Sequence, residues 1–197
     1  PLLTSLSRYL LKYKVDPRAW LKQEERILRI FRRKAHNYLQ HVPQADDDLQ
    51  WLALMEHHGA PTRLLDLTWS PYVAAFFALQ KTVSPCAVWA FNPLVFGHPQ
   101  RVDTDGSGVR IDPRQVDPRK PGNFRTHFLN GRVPFVWIGE PDVMNRRLIA
   151  QSGTFAMPSM LGRPIDEVLS GYRSSETAAV KFVLAPEARQ TGLRELY

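Results

Sequence analysis

Between Leu49 and Leu79 the chain passes from one apolar helix, through a short polar run, into a second apolar helix, and this interruption limits the possible folds more than any other feature. Glu56, His57, His58, Thr62, Arg63, Asp66 and Thr68 fall within thirteen residues. Burying that many hydrogen-bonding groups unpaired is costly. They must therefore pair with one another or face a cleft. The sequence predicts that His57, His58, Thr62, Arg63 and Asp66 line one cleft, floored by the helix that follows Ser70.

The flanking patterns assign the remaining elements. Ser5 to about Tyr13 reads as a short amphipathic helix. Asp16 is a predicted N-cap with Pro17 at the first helical position, opening a helix to about Leu39. The aspartates of Pro43–Asp48 cap a helix over Leu49–His58, and Gly59 suits the position just past its end. Ser70-Pro71 starts the next helix, which is apolar on nearly all sides over Val73–Leu79 and is therefore predicted to be central and buried. Cys86–Phe91, Val133–Ile138, Thr154–Met157 and Val180–Leu184 read as strands, Pro141–Gln151 and Ala188–Tyr197 as helices. Residues 97–130 show no sustained period and read as a long excursion. Helices first, then spaced strands with packed helices, give an α+β fold with a small, mainly antiparallel sheet. The expected organisation is one domain over 1–197, with 1–42 a helical basic appendage on an α+β core over 43–197.

Charge is unevenly placed. The net charge of +7 arises wholly between Arg8 and Lys34, where ten Lys/Arg face three Asp/Glu; the remainder is neutral. At about 100° per residue, Arg18, Lys22, Arg26, Arg29 and Arg33 form one stripe on the long helix, opposite its apolar face. The stripe reads either as a solvated face or as a contact for an acidic partner, nucleic acid included. It holds no aromatic residue, which argues against single-strand binding. No apolar stretch approaches the ~20 residues of a membrane span. The one cysteine, Cys86, reads as a core thiol and fits a reducing, cytoplasmic setting.

Chemistry is narrowed mainly by exclusion. Adjacent histidines diverge and no Cys/His/carboxylate set has ligand spacing, so no metal is expected. Gly106-Ser107-Gly108 is too weak for a phosphate loop, and no Walker, dinucleotide or kinase motif occurs. Arg63 and Asp66 either pair with each other to order the loop, or Arg63 holds a phosphate or carboxylate in its bidentate fork. Arg147 and Gln151, four apart, share a helix face.

His57-His58-Gly59-Ala60-Pro61-Thr62-Arg63-Leu64-Leu65-Asp66-Leu67-Thr68, then Ser70-Pro71 and an Ala/Phe-rich helix, resembles the signature of the FRG domain family, His-x-Gly-x-Pro-Thr-Arg-Leu-Leu-Asp-x-Thr. Leu3-Thr4-Ser5-Leu6-Ser7-Arg8 and the block from Asn145 to Phe155 are similar to two further family stretches. The Phe/Tyr-Arg-Gly strand that names the family is expected before Pro1, and its acidic ending beyond Tyr197. The family's arrangement looks like that of ADP-ribosyltransferases. The resemblance thus implies nucleotide binding, with NAD as the expected cofactor, and transfer or hydrolysis at its glycosidic bond in a toxin or phage-defence context. It implies His57, His58, Asp66 and Gln151 as catalytic candidates, and Thr62, Arg63, Thr68 and Arg147 as nucleotide-binding ones. One departure stands out: no Glu lies beside Gln151, where such a transferase often has one. A nucleic-acid-directed effector and a non-catalytic phosphate-ligand sensor are the two alternatives.

Overall fold

The computed structural model describes residues 1–80, 84–104 and 107–196. Helix α1 (Ser5–Lys12) is capped by Thr4, whose hydroxyl accepts from Ser7 N. Asp16 caps a 3-10 turn over Pro17–Ala19 that leads into α2 (Trp20–Ala35). Asp47 accepts from Gln50 N at the start of α3 (Asp48–His57). Gly59, at φ +74°, ends that helix as its pattern predicted, because the left-handed region is costly for residues with a Cβ. The chain continues through β1 (Leu65–Thr68), α4 (Pro71–Gln80), β2 (Cys86–Phe91) and α5 (Pro93–Phe96). Strands β3 (Gln100–Thr104) and β4 (Ser107–Ile111) follow, then a π-helical segment, Phe124–Leu129. The carboxyl-terminal part holds β5 (Val136–Gly139), α6 (Arg146–Ala150), β6 (Gly153–Pro158), α7 (Ile165–Ser170), α8 (Ser175–Ala178), β7 (Ala179–Leu184) and α9 (Ala188–Leu196).

The fold is α+β. Its centre is an antiparallel sheet in the order β1-β6-β5, with Asp66 opposite Phe155 and Thr68 opposite Gly153. Strand β6 is buried along its whole length. Alternation sends Phe155 and Met157 into one core with Leu28, Leu52, Met55 and Phe128, and Ala156 into a second with Val136, Phe96 and Val168. Tyr172 seals the second core: its hydroxyl accepts from Val136 N at 2.9 Å, and burial pushes the phenol up to about 12. Two further antiparallel pairs, β2-β7 and β3-β4, complete the strands among the described residues.

The structure corrects several expectations. Residues 1–42 are not an appendage. Leu6, Leu10 and Trp20 form a third core with Leu161, and Leu28 and Ala35 enter the first. The 97–130 excursion contains the β3-β4 hairpin and the π-helical segment, whose Phe124 and Phe128 are buried. Helix α4 is peripheral: Leu79 is buried while Tyr72 and Phe77 are exposed. Among the described residues α9, β2 and β1 pack on α4, and its apolar composition exceeds what they cover. Cys86 is half-buried at the start of β2 and not a core thiol. Gly106 and Tyr197 lie outside the described residues.

Candidate functional site

The polar run after α3 is resolved by two different solutions, one interior and one at the surface. The interior one is Arg63, which has no exposed surface. Its Nε donates to Glu24 Oε1 at 2.6 Å and its Nη2 to Glu24 Oε2. Its Nη1 donates to the carbonyls of Phe128 (3.0 Å), Pro158 (3.2 Å) and Ser159 (3.2 Å). The rings of Phe124 and Phe128 lie 5.2 and 5.8 Å from the guanidinium carbon. A desolvated cation is tolerated when paired and hydrogen-bonded on this scale. Arg63 therefore joins α2, the signature loop, the π-helical segment and the end of β6. It pairs with Glu24 and not with Asp66, and it keeps no donor turned toward a ligand, so the phosphate-fork expectation gives way to a structural role.

Thr62 is also buried and internally used. Its N–H donates to Ser5 Oγ at 3.0 Å, its carbonyl accepts from Leu6 N at 2.9 Å, and its hydroxyl donates to Glu56. It locks the start of α1 against the end of α3. Thr68 likewise serves the backbone: its hydroxyl donates to Gln151 O at 2.7 Å and accepts from Ser70 N at 3.0 Å. Gln151 is the C-cap of α6 and half-buried.

The surface solution is a pair of carboxylates. Alternation along β1 sends Leu65 and Leu67 into the second core and leaves Asp66 on the opposite face. Glu56, on the last turn of α3, is half-buried; Asp66 keeps contact with solvent. Burial raises the Glu56 carboxyl above its usual range. The Thr62 hydrogen bond opposes this, Asp66 pushes it further up, and Arg8 and Ser5 pull it back. Burial raises Asp66 too, against the pull of Arg147. Asp66 thus hinders the ionisation of Glu56; Glu56 feels an arginine from α1, and Asp66 one from α6. Both arginines are exposed; Arg8 Nη1 donates to Leu3 O at 2.7 Å.

His57 and His58 are exposed and lie edge-to-face at 5.1 Å. His58 turns toward Phe31 of α2, with ring centres 6.3 Å apart. The single predicted cleft is thus divided: Thr62 and Arg63 are interior, Asp66 joins Glu56 and Arg147, and His58 faces α2. Glu56, Ser5 and Arg8 were absent from the predicted site. The signals were there, in the polar cluster for Glu56 and in the amino-terminal block for Ser5 and Arg8. Among the described residues no group of three or more His, Cys, Asp or Glu side chains is placed to hold a metal, and no helix is long and apolar enough to cross a membrane. Arg18, Lys22, Arg26, Arg29 and Arg33 are all exposed, and none forms an ion pair among the described residues.

Residues 1–85 match the FRG domain family model. That span holds Arg8, Glu24, Glu56, Arg63 and Asp66, and ends before Arg147 and Gln151. No curated protein and no solved structure matches the chain.

Proposed function

We propose that this chain, which carries an FRG domain over residues 1–85, binds a pyrophosphate nucleotide and cleaves NAD⁺ at its nicotinamide–ribose bond, by transfer or by hydrolysis. One observation carries the reading: Glu56 and Asp66 are clustered at the end of α3 and on β1, with Arg8 acting electrostatically on Glu56 and Arg147 on Asp66. Carboxyls with raised pKa that face one another and two arginines are candidates for moving a proton.

In the reaction the bond between the nicotinamide nitrogen and ribose C1′ breaks. Its electron pair leaves with nicotinamide, which departs neutral. A water or acceptor oxygen forms the new bond to C1′, and its proton passes to a carboxylate of the acid pair. The other carboxyl hydrogen-bonds a ribose hydroxyl. Arg8 and Arg147 hold the pyrophosphate, the task buried Arg63 cannot perform. Trp69, 61% exposed and three residues beyond Asp66, offers a face for base stacking. Draining NAD⁺ or modifying a cell component suits a toxin or phage-defence role in the cytoplasm.

Nicotinamide release and thermal stabilisation by NAD⁺ and ADP-ribose test this reading. Glu56→Gln or Asp66→Asn is expected to lower turnover by roughly 10²–10⁴-fold with little loss of nucleotide binding. Stabilisation without turnover assigns the phosphate-ligand sensor instead. Neither stabilisation nor release rejects both.

A further inference from the structure

Helix α2 leaves an apolar concavity beside the polar loop. Ile27, Ile30, Phe31 and Lys34 on one flank, the turn bearing Tyr38 and Leu39, and His58 across from them enclose a groove of about 440 Å³. Tyr38 is 84% exposed and Ile30 41%. Large apolar side chains gathered around a concave surface mark an interaction site more often than isolated ones do.

The surroundings select the occupant. The polar side chains among the lining residues are Lys34, Tyr38 and His58, and no carboxylate lines it. Arg26 and Arg33 lie one helical turn to either side of Ile30. The acids of α2 are already engaged, Glu24 by Arg63 and Glu25 by Arg125, and Arg32 is held by Asp48. Lys22, Arg26, Arg29, Arg33 and Lys34 are left exposed with no ion pair among the described residues. The apolar floor thus has Lys34 in its lining and Arg26 and Arg33 beside Ile30, complementary to an amphipathic helix that carries acids beside its apolar stripe.

We infer that this groove receives such an acidic amphipathic helix from a partner protein. The part of α2 that lines it, from Ile27 to Ala35, spans about 12 Å at 1.5 Å per residue, room for two turns of a docked helix and its i, i+3/i+4, i+7 anchors. Nucleic acid is disfavoured because a duplex backbone offers no apolar face to fill the groove. A bilayer is disfavoured because a flat surface does not enter a concavity. The inference stands independently of the NAD⁺ reading.

The test is fluorescence anisotropy on the full chain with a synthetic helix of leucine anchors flanked by glutamates. Its controls are a scrambled peptide of equal composition, a lysine-for-glutamate twin, duplex DNA and anionic vesicles. The amphipathic acidic peptide is expected to bind saturably, and the scrambled and lysine peptides at least about tenfold more weakly. Ile30→Asp with Tyr38→Asp should abolish binding, and Arg26→Glu with Arg33→Glu should weaken it at least about tenfold. All four positions are exposed, so melting temperature should be unchanged and serves as the folding control. Equal binding of scrambled and amphipathic peptides, or no binding of either, overturns the inference. So does tight DNA or vesicle binding that survives the Ile30/Tyr38 change, and so does self-association that this change removes, which would assign the groove to a second copy.

Discussion

Glu24 of α2 meets the Arg63 guanidinium across 39 residues of chain, and both side chains are withdrawn from solvent, at 3% and 0% exposure. A site that looked suited to a ligand is instead filled by the protein's own carboxylate. The signature loop therefore does two jobs: Thr62 and Arg63 organise the interior, and Asp66 is displayed.

Removing one partner of a buried pair leaves an uncompensated charge. Arg63→Ala and Glu24→Ala are each expected to cost about 3–5 kcal/mol, read from urea unfolding. Three backbone carbonyls also lose their donor in Arg63→Ala. A stable Arg63→Ala protein that has only lost nucleotide affinity would return this arginine to the ligand site.

The raised acids set a pH dependence. In the folded chain Glu56 holds its proton to higher pH than in the unfolded one, because burial disfavours its charge. Its contribution to stability is thus complete below the ordinary glutamate value of about 4.3 and is lost as pH rises through the folded value. Glu56→Gln keeps an acceptor for the Thr62 hydroxyl and removes the charge. Melting temperature measured across pH should fall less steeply for the variant over that window. Parallel curves would show that Glu56 carries no such cost. Asp66→Asn should act in the same direction, and it should also lower the Glu56 carboxyl, which Asp66 raises.

Helix α4 offers a contrast between positions of like composition. Phe77→Ser, at a half-exposed site, should stay within about 0.5 kcal/mol of the parent, whereas Leu79→Ala should cost about 2–5 kcal/mol. Equal losses at the two positions would mean that α4 is covered on both sides.

Gly153, opposite Thr68 in the sheet, lies beneath α6. A Cβ there would come within 2.4 Å of Leu148 Cδ1 and 3.1 Å of Leu148 O. Gly153→Ala is expected to destabilise by about 1–3 kcal/mol through overpacking and to shift the helix that carries Arg147. If Arg147 helps hold the nucleotide, the Michaelis constant for NAD⁺ should rise together with this loss. An unchanged constant in a destabilised protein would separate α6 from the ligand.

The sequence was most legible where residue type alone sets the local structure. Capping by Asp16 and Asp47, the break at Gly59 and the apolar runs of β2, β6 and β7 all follow from local chemistry. It was least legible where the outcome depends on distant partners. Glu24 reads as one of the few acids on a basic helix, and nothing nearby announces that it will be buried. Helix α4 has the composition of a core helix, but the layer that would bury it is absent from the described residues. Phe124 and Phe128 flank a buried arginine from within a stretch whose Gly, Pro and Asp content hides any period. The acid pair falls between these cases, since Glu56 and Asp66 were both visible in one polar cluster, while Arg147 reaches Asp66 only through the strand pairing of β1 with β6.

The bonds of Arg63 have a consequence for the order in which the chain folds. They reach residues 24, 128, 158 and 159, so the arginine is satisfied only after both the π-helical segment and the end of β6 have arrived. Contacts of such long sequence separation form slowly, because loop closure precedes the reward. During synthesis the family-matched stretch 1–85 emerges with Glu24 alone to meet this cation. The nascent signature therefore stays labile until the carboxyl-terminal half seals it. Pulsed hydrogen exchange during refolding should find the Leu64 and Leu65 amides among the last to gain protection.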